Sequence, residues 1–395
     1  MNHLRKWLVS LAVIAFSGGL CAAENDGIDV ANKTIKIGAY APVTGPVSAY
    51  HQITDGLIAY FQHVNATGGI RGWKVNYMTL DDGYQPSQSM VVTKRLVENE
   101  KIFAIIGGIG TTTTSAVLPY AQEIGLPVIA VGGAPAFYTA SNIFTLVPSY
   151  MWEAGTLAEH ALSGLQAKKI GLLWQNDELG RTGKLGMETY LQSVGAKMAV
   201  DLPIDVKTTD FTSHIRRLQD AGADTVIMFG SNANLASVLR TAQRMDFKTN
   251  WMAPFFVADP ATYKLAGNLL DGVYFSSWML PVNSDDSQMT EYRAAMQKYA
   301  PNTPQGVLSL NGWSHATLFR NALESMIAGG TPLTRANFIK AMDSLREANP
   351  GGARKVSFMV GDHRGTRQMG ILRAQNGGFT LVREFKPFPK VVFDK

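Results

Sequence analysis

The chain of 395 residues contains a single cysteine, Cys21, which lies close to the N-terminus. No later apolar run approaches the ~18 residues that a membrane-spanning helix needs. Charged residues make up only 17% of the chain and the formal net charge is +5, so no basic stripe indicates a nucleic-acid partner. A single cysteine excludes a disulfide framework. The remaining composition is that of a globular protein, and the chain length suits about two domains.

The motifs of catalysis and metal binding are also missing. The sequence contains no G-x-S-x-G, no G-x-x-x-x-G-K-[ST] and no H-E-x-x-H. The histidines beyond residue 23 do not have the spacing of metal ligands. Asp81 and Asp82 end a strand candidate, where neighbours point to opposite faces, so a turn or cap role is predicted over a catalytic pair. We therefore expect no enzyme, no metal site and no cofactor.

Residues 1–23 have the layout of a secretory signal peptide, with basic Arg5 and Lys6, an apolar run over 7–16 and small residues up to Ala23. The run is too short to span ~30 Å of hydrocarbon, which disfavours a membrane anchor. The bulky Leu20 disfavours lipidation of Cys21. We predict cleavage after Ala23 and a periplasmic chain of 372 residues, with net charge +3 and no cysteine.

From residue 35, short apolar runs alternate with helical patterns, and this alternation restarts at residue 169. Repeated βαβ units indicate an α/β fold with parallel sheets and helices on both faces. The main strand candidates are 35–40, 75–80, 102–106, 127–131, 169–174, 197–203, 225–229, 250–256, 273–280, 356–359, 369–374 and 379–383. Helix candidates include 182–194, 287–299 and 313–328. Two similar units predict two lobes, with a ligand at the carboxyl ends of the strands in the cleft between them.

A glycine turn followed by hydroxyl side chains marks the start of one predicted helix. Gly110, Thr111 and Thr112 come directly after the apolar strand candidate at 102–106 and its glycine turn. Free N–H groups and the positive end of a helix dipole favour an anion, and hydroxyls add donors, so a carboxylate is the expected guest. The alternative is that these residues only cap the helix, for which one hydroxyl would suffice.

Two further sets of residues are candidates for the same cleft. After the next strand candidate, the segment Gly132, Gly133 and Ala134 presents backbone groups. Aromatic side chains near the expected lobe junctions suit an apolar or aromatic ligand body, although any one of them could equally belong to the core. These aromatics are Tyr50, Tyr84, Tyr150, Trp152, Phe255 and Phe256.

Several of these stretches together resemble a known family. They are residues 35–50, 65–72, 80–94, 104–115 and 126–134. The chain resembles the periplasmic solute-binding proteins of ABC importers, of the leucine/isoleucine/valine-binding type. This resemblance implies a type I periplasmic-binding-protein fold, in which two Rossmann-like lobes joined by three crossovers close on a small molecule. It also implies an inner-membrane ABC permease as partner and a monomeric protein, while a receptor that feeds a regulator remains the alternative.

The resemblance predicts where the lobes begin and end, and which residues meet the ligand. Lobe one would comprise 34–148 plus 279–355, and lobe two 149–278 plus 356–395. The family's hydroxyl for the ligand carboxylate falls on Thr111, and its first-loop aromatic falls on Tyr50.

The departures from the family pattern concern the ligand's ammonium group. The threonine and the glutamate that hold this group fall on Ala134 and Asn234, and the second-lobe tyrosine falls on Leu179. An ammonium closed in a cleft without a carboxylate would be poorly compensated. We therefore expect a carboxylate with an apolar or aromatic body, or an amide, unless a shifted register brings Asp177 or Glu178 into the site.

Overall fold

The computed structural model describes residues 26–389, so the predicted signal peptide lies outside the described residues. Two sheets, each covered by helices, form two lobes. The first sheet has the order β1-β2-β4-β5-β6, with β3 paired to β2, and every pairing except β1–β2 is parallel. Its elements are β1 (Ile28–Asp29), β2 (Thr34–Ala41), β3 (Lys74–Asp81), β4 (Ile105–Ile109), β5 (Val128–Val131) and β6 (Ile143–Phe144), with α1 (His51–Ala66), α2 (Pro86–Glu98) and α3 (Thr111–Glu123).

The second sheet has the order β13-β12-β11-β10-β9-β7-β8, and it is parallel except for β12 and β13 at one edge. The helices of this lobe are α4 (Tyr150–Ser163), α5 (Glu178–Ser193), α6 (Thr212–Asp220), α7 (Asn232–Arg244) and α8 (Pro260–Ala266). Its strands are β7 (Ile170–Gln175), β8 (Val200–Ile204), β9 (Thr225–Phe229), β10 (Asn250–Ala253), β11 (Tyr274–Ser277), β12 (Gln368–Gln375) and β13 (Gly378–Pro387).

The central strands of both sheets are buried along their whole length, because helices cover both faces. Between β11 and β12 the chain returns to the first lobe and adds α9 (Ser287–Tyr299), α10 (Val307–Ala328) and α11 (Arg335–Asp343). Helix α10 packs against α1, β4 and β5, and its N-terminal end also contacts residues 255–257 of the second lobe. No helix within residues 26–389 has both the length and the apolar character to cross a membrane.

Several predicted elements differ from the structure in type or in their bounds, and the strand predicted at 102–106 is observed at Ile105–Ile109. The strand predicted at 250–256 ends at Ala253, because Pro254 has no N–H to donate to a neighbouring strand, and 255–257 form a 3₁₀ turn. The strand predicted at 356–359 is wrong: Val356 and Met359 make only isolated bridges. The helix predicted to begin at residue 313 begins six residues earlier, which carries its first turns to the lobe junction.

The segment before β12 is bonded to the first lobe. The His363 N–H donates to the Tyr138 carbonyl at 2.8 Å, and the Thr366 hydroxyl donates to the Leu146 carbonyl at 2.5 Å. The chain enters the second sheet only at Gln368. The predicted lobe boundaries stay a prediction, and these contacts favour a third crossover near Arg367 rather than at Val356.

Candidate ligand-binding site

A cavity lies between the lobes where the chain leaves β4 and β5 of the first sheet and β10 of the second. Its empty volume is about 390 Å³. Both lobes contribute side chains to its wall. The lining residues are Tyr50, Ile53, Tyr84, Ile109, Gly110, Thr111, Val131, Val147, Tyr150, Leu179, Phe255, Phe256, Leu308 and Asn311.

The N-terminus of α3 forms one end of this cavity. The first helical hydrogen bond runs from the Thr114 N–H to the Gly110 carbonyl at 3.1 Å, so the N–H groups of residues 111–113 precede the helical ladder. Gly110 has φ of 108°, and a Cβ atom there would lie 2.6 Å from the Tyr84 ring. Glycine is therefore required at this turn, for its conformation and for the close approach of Tyr84.

The hydroxyl of Thr111 is positioned as a donor. The Gly133 N–H donates to Thr111 Oγ1 at 3.2 Å, which occupies a lone pair and leaves the hydroxyl proton for another acceptor. Thr113 instead donates to the Ile109 carbonyl at 2.6 Å, and Thr114 bonds to Tyr40 at 2.7 Å. Thr111, Thr113 and Thr114 thus make different hydrogen bonds, and Thr111 is the threonine of the run that lines the cavity.

Aromatic rings from both lobes form the cavity wall. The Phe256 ring meets Tyr50 of the first lobe and Tyr150 of the second, each at 6.1 Å between centroids and nearly perpendicular. Such edge-to-face pairs are favourable beyond the apolar area they bury. Burial raises the pKa of Tyr150, and the neighbouring Thr111 hydroxyl opposes that shift. These tyrosines stay neutral, and the wall suits an apolar or aromatic group.

None of the lining residues is Asp, Glu, Lys, Arg or His. Asp177 lies nearby, but it caps α5: its carboxylate accepts from the Gln175 side chain at 2.5 Å and from the Gly180 N–H at 3.2 Å. Burial raises the pKa of Asp177. Neither Asp177 nor Glu178 lines the cavity, and no group of three or more His, Cys, Asp or Glu residues suited to a metal occurs within residues 26–389.

The structure brings together many of the predicted site residues. Those that line the cavity are Tyr50, Tyr84, Gly110, Thr111, Tyr150, Leu179, Phe255 and Phe256. Gly132 and Gly133 lie behind Thr111: the Gly132 carbonyl accepts from Thr145 at 3.0 Å, and the Gly133 N–H holds Thr111. Ala134 is buried and precedes a short 3₁₀ turn. The Thr112 hydroxyl is buried without a hydrogen-bond partner among the described residues.

Thr112, Gly132, Gly133 and Ala134 do not line the cavity, and two further predicted site residues have their side chains elsewhere. Trp152 stacks on Phe388 with 5.0 Å between ring centroids, and the Arg364 guanidinium lies over the Trp152 ring, 5.0 Å from its centroid. Asn234 is the third residue of α7, where it completes a capping box with Ser231 and donates to the Thr208 carbonyl at 2.9 Å. The structure thus places both outside the cavity lining, and the amide of Asn234 holds its own helix.

Sequence reasoning missed the contribution of α10. Leu308 and Asn311 line the cavity from the first two turns of this helix, and Ile53 lines it from α1. The signal that would have located them is Gly306, which precedes the helix as its N-cap, together with the apolar positions 307, 308 and 310. The sequence prediction instead began this helix at residue 313.

A second groove, with an empty volume of about 890 Å³, opens beside the connection from β11 to α9. Its lining includes Leu280, Phe379 and Arg293, whose guanidinium donates to the Val282 and Ser284 carbonyls. The groove is larger, but it does not include the N-terminus of α3. The smaller cavity is the one at which both lobes and the N-terminus of α3 meet.

The whole described region is similar to one family of proteins. The profile of the family described as "Periplasmic binding protein" matches residues 34–378. A leucine-, isoleucine-, valine-, threonine- and alanine-binding protein of Pseudomonas aeruginosa is 21% identical over 327 residues, which cover 82% of this chain and 84% of the relative. The Leu/Ile/Val-binding protein of Escherichia coli (strain K12) is 23% identical over 315 residues, or 78% and 83% of the two chains.

Solved structures share the fold. A branched-chain amino acid ABC transporter structure from Thermus thermophilus with bound valine has a TM-score of 0.84 at 20% identity, covering 90% of this chain and 96% of the other. A fatty acid ABC transporter substrate-binding protein from Thermomonospora curvata has a TM-score of 0.84 at 22% identity, covering 91% and 94%. The chain belongs to the periplasmic binding protein family and has the type I fold of its leucine/isoleucine/valine-binding branch.

Proposed function

We propose that this chain is the periplasmic binding protein of an ABC importer, and that it traps a small carboxylate with an apolar or aromatic body for delivery to an inner-membrane permease. The observation that carries the proposal is the cavity between the lobes. It has a helix N-terminus and the Thr111 hydroxyl at one end, and apolar or aromatic walls elsewhere. No bond of the ligand is made or broken, because the lining offers no nucleophile beside a general base.

The lack of an acidic side chain argues against an α-amino acid. An α-ammonium enclosed in the cavity would lose its hydration without gaining a carboxylate partner. Asp177 is not among the lining residues, and its two oxygens accept hydrogen bonds within its own lobe. Since one fold neighbour is described with bound valine and another as a fatty acid binding protein, the fold itself is compatible with ligands with and without an ammonium group.

The test compares each amino acid with the acid that lacks its amino group. Mature protein is titrated with leucine and 4-methylpentanoate, and with phenylalanine and 3-phenylpropanoate, by calorimetry and thermal shift. Ligand at ~100-fold excess over Kd stabilises the folded state by about 2.7 kcal/mol, which a melting curve resolves. We expect the deaminated acids to bind and the amino acids to bind more weakly or not at all.

Two results would contradict the proposal. Tighter binding of leucine or phenylalanine than of its deaminated counterpart would show that an ammonium is accommodated. Failure of all the acids and amides tested to shift the melting temperature would remove the support for a solute receptor. The mass of the exported chain provides a separate check, because cleavage after Ala23 leaves 372 residues.

A further inference from the structure

Asn311 contributes to the cavity wall a side-chain amide whose oxygen makes no hydrogen bond with the described residues. It lies in the second turn of α10, lines the cavity beside Leu308, and is 1% exposed. Its Oδ1 atom is buried and has no hydrogen-bond partner among the residues that the structure describes. Leaving such a group unpaired costs about 1–3 kcal/mol, so a leucine at this position would be expected to give a more stable fold.

The surroundings of Asn311 prevent it from turning toward solvent. The backbone carbonyl oxygen of Asn311 lies 2.8 Å from Nδ1 of His315. Nε2 of the same histidine lies 3.1 Å from the backbone carbonyl oxygen of Ala130 in β5. The next residue, Gly312, packs so closely on α1 that a Cβ atom there would lie 1.8 Å from the Ile53 carbonyl oxygen. These contacts fix the position of α10 beside the cavity, and they keep the Asn311 amide group at the cavity wall.

We infer that Asn311 determines ligand specificity by bonding a second polar group of the ligand, a hydroxyl or an amide, on the apolar body that follows the carboxylate. This inference rests on the proposed function, in which Thr111 and the N-terminus of α3 hold the carboxylate. Asn311 belongs to a different helix from Thr111, so the two polar contacts come from separate parts of the cavity wall.

The second polar group of the ligand, which Asn311 would bond, must be neutral. An amide both donates and accepts, so it can pair with a hydroxyl or with another amide. A charged group at this position would be buried without a counter-charge, because no lining residue is Asp, Glu, Lys, Arg or His. The ligand class is therefore narrowed to carboxylates whose apolar body carries one hydroxyl or amide group.

The experiment compares acids that differ only in a hydroxyl. Mature wild-type protein and the Asn311→Leu variant are titrated by calorimetry with 3-phenylpropanoate, its three ring-hydroxylated isomers, benzoate and the three hydroxybenzoates. We expect at least one hydroxylated acid to bind the wild type about tenfold more tightly than its parent acid. Asn311→Leu should abolish this preference while binding the parent acid at least as tightly, and it should melt at a higher temperature without ligand.

Thr111→Val serves as the matched control, because it should weaken all these acids alike and keep the preference for the hydroxyl. Asn311→Ala provides a second truncation if the leucine variant fails to fold. Persistence of the hydroxyl preference in the Asn311 variants would overturn the inference and leave the proposed function intact. So would a wild type that binds every parent acid more tightly than its hydroxylated forms. A wild type that binds none of the acids would overturn the proposed function itself.

Discussion

At the scale of single residues, the proposed function makes the Thr111 hydroxyl the group on which carboxylate binding should depend. Its oxygen accepts from the Gly133 N–H, and the side chain is fully buried at the first position of α3. The proton is thus available to an anion that also receives the N–H groups of the first helical turn. A substitution of Thr111 removes the hydroxyl and keeps the backbone N–H groups, so it measures the contribution of the hydroxyl to carboxylate binding by itself.

Replacement of Thr111 by valine should weaken the binding of 3-phenylpropanoate by about 1.5–3 kcal/mol, the range for a hydrogen bond to a charged group. Calorimetry would register this as a rise in Kd of roughly 10- to 150-fold. Thr111→Ser keeps the hydroxyl and should stay close to the wild type. Equal affinity of the valine variant and the wild type would show that the carboxylate binds elsewhere.

The lining residues that directly follow β4 could be predicted because a strong local signal marks them. Gly110 and Thr111 follow a continuous apolar strand, and this order of residues by itself indicates a helix N-terminus with free donors. Asn234 shows the limit: its Ser231-x-x-Asn234 spacing is that of a capping box, in which Oδ1 accepts from Ser231. Its Nδ2 donates to the carbonyls of Val206 and Thr208, so both ends of the amide bond within the protein. Asn311 has no such signal, because its importance arises from what its surroundings leave unpaired.

At the scale of elements, the close packing of α1 on α10 positions one wall of the cavity. Gly56 of α1 and Gly312 of α10 face the backbone of the opposite helix: added Cβ atoms would lie 1.9 Å from the Ser309 carbonyl oxygen and 1.8 Å from the Ile53 carbonyl oxygen. Helices approach this closely only where small residues face the partner backbone. Both elements contribute to the site, Ile53 from α1 and Leu308 from α10.

Gly312→Ala should force α10 away from α1. We expect a loss of about 1–3 kcal/mol in the free energy of unfolding, the usual cost of overpacking, measured by urea denaturation. Ligand binding should weaken as well, because the same helix carries Leu308 and Asn311. Gly329→Ala is the control on the same helix: its φ is −83° and its Cβ would meet nothing closer than 3.4 Å. Equal destabilisation by the two substitutions would contradict this account of the packing.

The order and type of most elements could be predicted, whereas several of their ends could not. The pattern predicts β9 and α9 at their observed bounds, since apolar periodicity defines each of them over its whole length. Helix α5 begins at Glu178, four residues before the predicted start, because Asp177 caps it. This shift matters for the site, since it places Leu179 in the first turn of the helix and at the cavity.

At the scale of the whole molecule, Asp259 connects the two lobes beside the cavity. It follows β10 in the second lobe, where Oδ1 accepts from the Ala261 N–H at 2.9 Å and caps α8. Oδ2 accepts from the N–H of Leu308, in the first turn of α10 in the first lobe, at 3.0 Å. Repeated βα units predicted two lobes, but such a contact depends on how the lobes meet, which no local pattern specifies.

The environment of Asp259 makes this contact sensitive to pH. Burial raises the pKa of Asp259 to about 6, while the hydrogen bonds from Leu308 and Ala261 oppose the shift. The titratable side chains beside it are Tyr50 and Tyr292, whose pKa values burial raises further above 10, so they stay neutral. If the lobes separate, the carboxylate returns to water and to its ordinary pKa of 3.8.

The sign of the pH effect follows from this difference. Between about pH 4 and 6 the closed form holds a proton that the open form has released, so closure is favoured at low pH and loses this advantage as the pH rises through about 6. Because ligand binding requires closure, the Kd of 3-phenylpropanoate should rise about tenfold between pH 5 and 7.5 and then level off. Asp259→Asn cannot titrate, and its Kd should be nearly independent of pH over this range.

Glu153→Gln is the matched control for this prediction. Burial raises the pKa of Glu153 to about 7, but its partners, the Phe255 N–H and the Ser276 hydroxyl, lie in its own lobe. The proton of Glu153 is therefore coupled to folding and not to closure. Urea unfolding of the wild type should show that the free energy of unfolding falls as pH rises from about 4.5 to 7, and the glutamine variant should lose part of this slope.

Calorimetric pH profiles of ligand binding should be flattened by Asp259→Asn and unchanged in slope by Glu153→Gln. A flat wild-type profile would mean that Asp259 stays buried when the lobes open, and the contact with Leu308 would then be part of the hinge.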